Sequence, residues 1–125
     1  MRNFKNYNVW HHAVELVTKI YLIVQLLPQN EMYSLSQQMR RAAVSIPSNI
    51  AEGCGRESDK EFKRFIDMAL SSAFELETQM IIGDSLFHIH EAQIFSPAYD
   101  HLIIVQKELN SLRNKLSNEH SARSK

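Results

Sequence analysis

Apolar residues recur every three or four positions along most of the chain, which is the spacing of one face of an α-helix. The pattern predicts a first helix over residues 9–27, a second over 34–53, a third over 59–88 and a fourth beginning near Ser96-Pro97. No stretch shows the period-two alternation of a half-buried strand. The sequence therefore predicts an all-α protein, and its short connections favour an antiparallel up-down-up-down four-helix bundle.

Each predicted helix has an apolar stripe that is expected to face the core. In chain order the stripes are Trp10, Ala13, Val17, Ile20, Val24 and Leu27; Leu35, Met39, Ala42, Ile46 and Ile50; Ile66, Ala69, Ala73, Leu76, Met80, Gly83 and Phe87; and Leu102, Val105, Leu109, Leu112 and Leu116. The first helix also has Leu16, Ile23 and Leu26 beside its stripe, so we expect it to need cover on more than one side, for which another subunit is one source. Because no apolar anchor follows Leu116, we expect a single domain over 1–117 and a disordered tail over 118–125.

The end of the second helix is marked by strong local signals. Pro47 lacks an N–H group and is expected to kink the helix. Gly53 and Gly55 flank Cys54, and the glycines are expected to close the helix through positive φ angles. That position is also expected to leave the cysteine exposed and open to oxidation. Ser58 and Glu61 have the spacing of a capping box at the start of the third helix.

A polar stripe runs along the second helix beside Pro47. Together with the proline and the glycine that ends the helix, it forms a motif of Ser45, Pro47, Ser48, Asn49, Glu52 and Gly53, with Arg41 on the same face. One interpretation is a hydrogen-bonded network at a contact with a subunit or partner. The interpretation we favour is that Arg41 and Glu52 satisfy backbone groups freed by the proline, because buried polar groups need partners.

The charges are balanced overall but unevenly placed. The chain has 14 basic and 14 acidic residues, so its formal net charge is zero. Residues 34–65 contain six of the basic residues, whereas residues 66–100 contain six acidic residues and no basic one. The single cysteine excludes an internal disulfide framework, and no apolar run is long enough to span a bilayer. We therefore expect a cytoplasmic protein without a membrane segment.

Basic residues on both sides of the turn between the second and third helices form the candidate binding site. This predicted basic elbow comprises Arg40, Arg41, Arg56, Lys60, Lys63 and Arg64. Guanidinium groups and free N–H groups near a helix start suit phosphate, so the elbow is a candidate nucleic-acid-binding site. The alternative is a solvated face, because Glu52, Glu57, Asp59 and Glu61 lie near enough in sequence to neutralise much of its charge.

The stretch from Gln38 to Gly53, QMRRAAVSIPSNIAEG, followed by Arg56, Ser58 and Glu61-Phe62, resembles one family closely. These are the bacterial four-helix bundle proteins encoded in intervening sequences of 23S ribosomal RNA genes. They are grouped with the accessory variability protein (Avd) of diversity-generating retroelements. The resemblance covers about residues 7 to 90. It implies a four-helix bundle that assembles as a homopentamer. By similarity to Avd, it also implies a basic surface that binds nucleic acid and a reverse transcriptase.

Other chemistry has less support in the sequence. Arg113-Asn114 and His120 resemble the arginine–histidine pair of HEPN-type helical ribonucleases, but His120 falls in the predicted tail. The histidine pairs at residues 11–12 and 88–90 have poor spacing for a metal on one helix face, so no metal or cofactor is expected. We expect a non-catalytic oligomeric module that binds RNA or a ribonucleoprotein. The rival is a structural or protein-binding oligomer whose acidic stretch, Asp67 to Asp100, meets a basic partner.

Overall fold

The computed structural model describes residues 2–124, with the side chains of residues 2–119. Within that part of the chain every regular element is helical, and there is no strand. No described helix combines the length and the hydropathy needed to cross a membrane. The α-helices are α1 (Asn8–Val24), α2 (Leu35–Cys54), α3 (Asp59–Phe87) and α4 (Phe95–Ser124), and single 3₁₀ turns lie at Phe4–Asn6, Gln29–Glu31 and Ile89–Glu91.

The four helices surround one hydrophobic core. Both α1 and α3 pack against α2 and α4. The predicted stripes all face this core: most of their members are buried, and Trp10, Val17, Leu35, Phe87 and Leu112 are partly buried against it. Leu16 and Ile23 are also fully buried within the single chain, whereas Leu26 is exposed. The additional apolar residues of α1 are thus covered mainly by its own neighbouring helices.

The end of α2 differs from the prediction. The helix runs without interruption through Pro47 and ends at Cys54, and neither Gly53 nor Gly55 has a positive φ. Hydrogen bonds of the 3₁₀ type, which span three residues, close the helix instead. The Gly55 and Arg56 N–H groups donate to the Glu52 and Gly53 carbonyls. The predicted exposure of Cys54 is also wrong, since its side chain is 1% exposed and burial raises the pKa of the thiol.

Close helix packing explains the glycine at position 53. A Cβ atom added to Gly53 would lie 2.8 Å from Cβ of Phe65 and 2.9 Å from Cδ1 of Phe62. Real Cβ atoms essentially never approach other atoms so closely. Gly53 therefore lets α2 and α3 meet next to the turn that joins them, and this contact sets the position of the turn.

The positive φ occurs instead at the end of α3. His88 has φ 54° and ψ 42°, a left-handed conformation that closes the helix at a position where glycine is most common.

The backbone of α4 continues as a helix to Ser124. The tail that the sequence predicts to be disordered, 118–125, overlaps this helical end, and its disorder stays a prediction. A helical end that lacks apolar anchors beyond Leu116 has little packing to stabilise it.

Candidate functional site

The six residues of the predicted basic elbow fall into two groups. Arg40 and Arg41 lie in the first third of α2, whereas Arg56 follows the C-terminus of that helix. At 1.5 Å per residue, Arg41 is roughly 20 Å along the helix axis from the turn. The six residues therefore do not form one patch. We call Arg40 and Arg41 the α2 pair, and we call Arg56, Lys60, Lys63 and Arg64 the elbow cluster.

The α2 pair lies beside the exposed face of α1. Nη2 of Arg40 donates to the Met32 carbonyl oxygen at 3.3 Å, so this arginine fastens the chain that precedes α2. Arg41 is exposed and makes no hydrogen bond or ion pair with a described residue. Both arginines line a cavity of about 460 Å³ together with Tyr21 and Val44.

Two of the four elbow-cluster residues are ion-paired along α3. Nε of Arg64 lies 3.2 Å from Glu61, and Nζ of Lys63 lies 3.2 Å from Asp67. The capping box is formed only in part: the Ser58 hydroxyl accepts the Glu61 N–H at 3.1 Å, while the Glu61 carboxylate pairs with Arg64. The pair of Lys63 is partly buried, whereas that of Arg64 is exposed. An exposed ion pair contributes little stability, so the pair of Arg64 can exchange for a phosphate at small cost.

The other two residues of the cluster keep their charge unpaired. The side chains of Arg56 and Lys60 are exposed and make no hydrogen bond or ion pair within the described part of the chain. The Arg56 guanidinium lies over the ring of Phe65, with Cζ 4.6 Å from the ring centroid. Arg56 also lines a cavity of about 570 Å³ with Arg2, Gly55 and Glu57. The cluster thus presents two cations that have no counter-charge among the described residues, and one of them, Arg56, lines an open cavity.

Arg2 joins this site from the other end of the sequence. Its Nη1 donates to the Arg56 carbonyl oxygen at 2.7 Å, and its Nη2 pairs with Asp59. The guanidinium also lies 4.5 Å from the centroid of the Phe62 ring. Sequence analysis missed Arg2 because these partners lie more than fifty residues away, and no local pattern marks such a contact. Arg2 fastens the N-terminal segment onto the turn and fixes the turn's backbone.

The polar stripe of α2 forms a short network towards α3. The hydroxyl oxygens of Ser45 and Ser72 are 2.8 Å apart, and Nδ2 of Asn49 donates to the Ser45 hydroxyl at 2.9 Å. Asn49 and Ser48 also donate to the backbone carbonyls of Ser45 and Val44, whereas the carbonyl that Pro47 leaves without its usual donor is that of Ala43. The side chains of Arg41 and Glu52 are exposed and make no hydrogen bond with a described residue. The favoured interpretation, in which these two side chains satisfy the freed backbone, is therefore wrong.

The residues weighed for metal or ribonuclease chemistry have structural partners. No group of three or more His, Cys, Asp or Glu side chains in the described part of the chain could hold a metal ion. Nδ1 of His12 lies 2.6 Å from Glu108, and Nδ1 of His101 lies 2.8 Å from Nζ of Lys19, which ties α1 to α4. Arg113 pairs with Asp67 across α3 and α4. The side chain of its predicted partner, His120, lies outside the described residues.

One protein family matches nearly the whole chain. Its description is 23S rRNA-intervening sequence protein, and the match covers residues 5–117. This confirms the family indicated by the resemblance and extends it through α4. The relation to Avd stays a prediction. No curated protein matches the chain.

Proposed function

The chain belongs to the 23S rRNA-intervening sequence protein family, and we propose that it is a non-catalytic binding module that contacts RNA through the elbow cluster. The family description names a ribosomal RNA, which favours RNA as the partner. The observation that carries the proposal is the pair of cations, Arg56 and Lys60, that have no counter-charge among the described residues. Arg56 also lines the cavity at the turn. Cations without a protein counter-charge are available to phosphate groups, which dominate protein–nucleic acid affinity.

The test is RNA binding by a charge-reversal variant. Fluorescence anisotropy with a labelled RNA hairpin, at two or more salt concentrations, should show binding by the wild type that weakens as salt rises. The triple variant K60E/K63E/R64E should lose that binding, while circular dichroism checks that it remains folded. A matched control is R40E/R41E, which alters the α2 pair at the far end of the helix. Absence of wild-type binding at low salt would contradict the proposal.

The proposal includes an antiparallel up-down-up-down arrangement. The contacts support it, because higher-numbered residues on one helix meet lower-numbered residues on the next. On α1 and α4, His12 contacts Glu108 while Lys19 contacts His101. On α2 and α3, Ser45 contacts Ser72 while Gly53 approaches Phe65. Disulfide cross-linking of cysteine pairs designed for opposite helix ends would test this order in solution.

We also propose self-assembly, as a homopentamer by family resemblance. Large apolar side chains that the single chain leaves exposed support it. On α1, Tyr21 and Leu22 are 45% and 49% exposed, and on α3, Phe74 and Leu86 are 52% and 61% exposed. Exposed large apolar side chains mark an interaction surface where they lie together in one patch. A mass near five times 14.5 kDa by light scattering is expected, and a monomer would contradict the assembly.

The second candidate function is a structural or protein-binding oligomer with no role in RNA binding. It is favoured by the outer face of α3, where Phe74, Ile81, Ile82 and Leu86 are exposed within the acidic stretch from Asp67 to Asp100. A basic partner protein would suit that combination of charge and apolar area. Substituting Ile82 and Leu86 by serine should abolish such binding and leave RNA affinity unchanged.

We also propose that the protein is not an enzyme and that it is located in the cytoplasm. The alternative activity, RNA cleavage by Arg113 and His120, is tested by incubating wild type and H120A with labelled RNA. We expect no cleavage by either protein. Cleavage by the wild type that H120A abolishes would establish the ribonuclease.

A further inference from the structure

Two guanidinium groups of the elbow cluster share one phenyl ring. Cζ of Arg56 lies 4.6 Å from the centroid of the Phe65 ring, and Cζ of Arg64 lies 4.8 Å from the same centroid. Phe65 itself is only 5% exposed, so its ring is enclosed by neighbouring groups. Both guanidinium groups therefore contact the same ring, although the residues lie on the turn and on α3.

Each guanidinium lies at a distance from the ring centroid that is typical of a cation–π contact. This contact uses none of the N–H donors of the guanidinium, so they remain free to donate. Arg56 donates to no described residue from its side chain. Arg64 has one exposed ion pair, to Glu61, and a weak contact of Nη1 with Sδ of Met68 at 3.9 Å. Most of the ten donors that two arginines offer are thus available to a ligand.

The space beside Arg56 is open, whereas Arg64 lines a separate cavity with Asn49 and Met68. The cavity of about 570 Å³ next to Arg56 is bounded by Gly55, which has no side chain to obstruct it. Arg2 stabilises this wall because it donates to the Arg56 carbonyl oxygen and pairs with Asp59. Among the described residues of the cavity wall, Arg2 and Arg56 are basic and Glu57 is acidic. Because Arg2 pairs with Asp59, Arg56 is the basic residue of this wall that has no ion pair with a described residue.

We infer that Arg56 and Arg64, positioned by Phe65, bind phosphate oxygens of the RNA backbone through planar, bidentate hydrogen bonds. This inference rests on the proposed function and goes beyond it by naming the group recognised and the residue that orients the arginines. A planar guanidinium can donate two parallel hydrogen bonds to one phosphate, whereas the ammonium group of lysine acts as a point charge. Because backbone contacts read no bases, the site binds RNAs of different sequence with similar affinity.

The test separates geometry from charge. The double variant R56K/R64K keeps both positive charges but loses the planar forks and the stacking on Phe65. With a labelled RNA hairpin, its affinity should fall about tenfold, while the slope of log K against log salt stays unchanged because the number of charges is the same. R40K/R41K is the matched control, and its affinity should equal that of the wild type. K60Q should make this negative slope shallower by about 0.7–0.9, as expected for the loss of one charge.

A substitution of the ring provides an independent measurement. F65L keeps an apolar side chain of similar size and all the charges, and it removes the aromatic face. RNA affinity should fall about threefold to tenfold, with the fold checked by circular dichroism. Wild-type affinity in R56K/R64K would overturn the inference and leave the proposed function standing, because charge alone would then suffice. If the wild type binds no RNA at low salt, both are refuted.

Discussion

Substitution of Gly53 by alanine tests the close approach of α2 and α3 at the elbow. The added Cβ would lie 2.8 Å from Cβ of Phe65, about 0.6 Å closer than the 3.4 Å at which ordinary contacts begin. The obstructing atom is bonded directly to the backbone of α3, so a rotamer change cannot move it. The helices must instead separate, and overpacking of this kind typically costs about 1–3 kcal/mol.

The expected magnitude combines two opposing effects. We take the upper end of the overpacking range, about 3 kcal/mol, because backbone-anchored atoms meet. Alanine is favoured over glycine within a helix by about 1 kcal/mol. The variant G53A should therefore lose about 2 kcal/mol of unfolding free energy.

Gly83 provides the matched control, since it is a buried glycine within a helix. A Cβ added there would meet side-chain atoms of Ile89 and Leu27 at 3.5 Å, which is ordinary contact. G83A should therefore gain about 1 kcal/mol from helix propensity alone. The two variants make the same chemical change. The difference of about 3 kcal/mol in unfolding free energy between them therefore reports only the packing around each glycine.

Urea unfolding followed by circular dichroism measures both variants. The midpoints should move in opposite directions while the slope m stays near the wild-type value. Melting temperatures should differ by roughly 10 °C for a domain of this size. If G53A is as stable as G83A, the helices at the elbow are further apart than the structure has them, and the packing argument is refuted.

Three further predictions concern helix ends and buried groups. H88G should raise the unfolding free energy by about 1 kcal/mol in a thermal melt, because glycine adopts the observed left-handed conformation without steric cost; a loss of stability would contradict this. The Cys54 thiol should react with Ellman's reagent only as the chain unfolds in urea, since it is buried and its pKa is raised; rapid reaction of the native protein would refute its burial. The His90 backbone N–H and then its ring hold the pKa of Asp84 below its usual value. Asp84 therefore stabilises the fold above pH of about 4, and that contribution is lost as pH falls further. D84N should be less stable than wild type at pH 7, with the difference vanishing in acid, and a constant difference across that range would exclude the linkage.

Much of the fold could be predicted from local patterns. The apolar stripe of α3, from Ile66 to Phe87, and that of α4, from Leu102 to Leu116, face the core as their spacing requires. Spacing along a helix is a property of neighbouring residues, and burial of one face follows from it directly. The same holds for Ser58, whose hydroxyl caps α3 as its position in the sequence predicts.

The candidate site was predictable only in part. Lys60, Lys63 and Arg64 lie on one helix as the sequence predicts, whereas Arg40 and Arg41 lie at the far end of α2. Nearness in sequence is a poor guide here, because a helix separates residues by 1.5 Å at every step. Phe65 was not recognised as the ring beneath two arginines, since that contact depends on how the turn folds back over α3.

The sequence by itself determined the helical class, the buried faces and the family to which the chain belongs. Tertiary structure alone decided that Gly53 serves close packing rather than a positive φ, that Cys54 is buried, and that Arg2 joins the elbow. The physical reason is the distance along the sequence over which each feature is determined. Helix periodicity and capping arise between residues a few positions apart, whereas these three features depend on distances between segments that meet only when the helices pack.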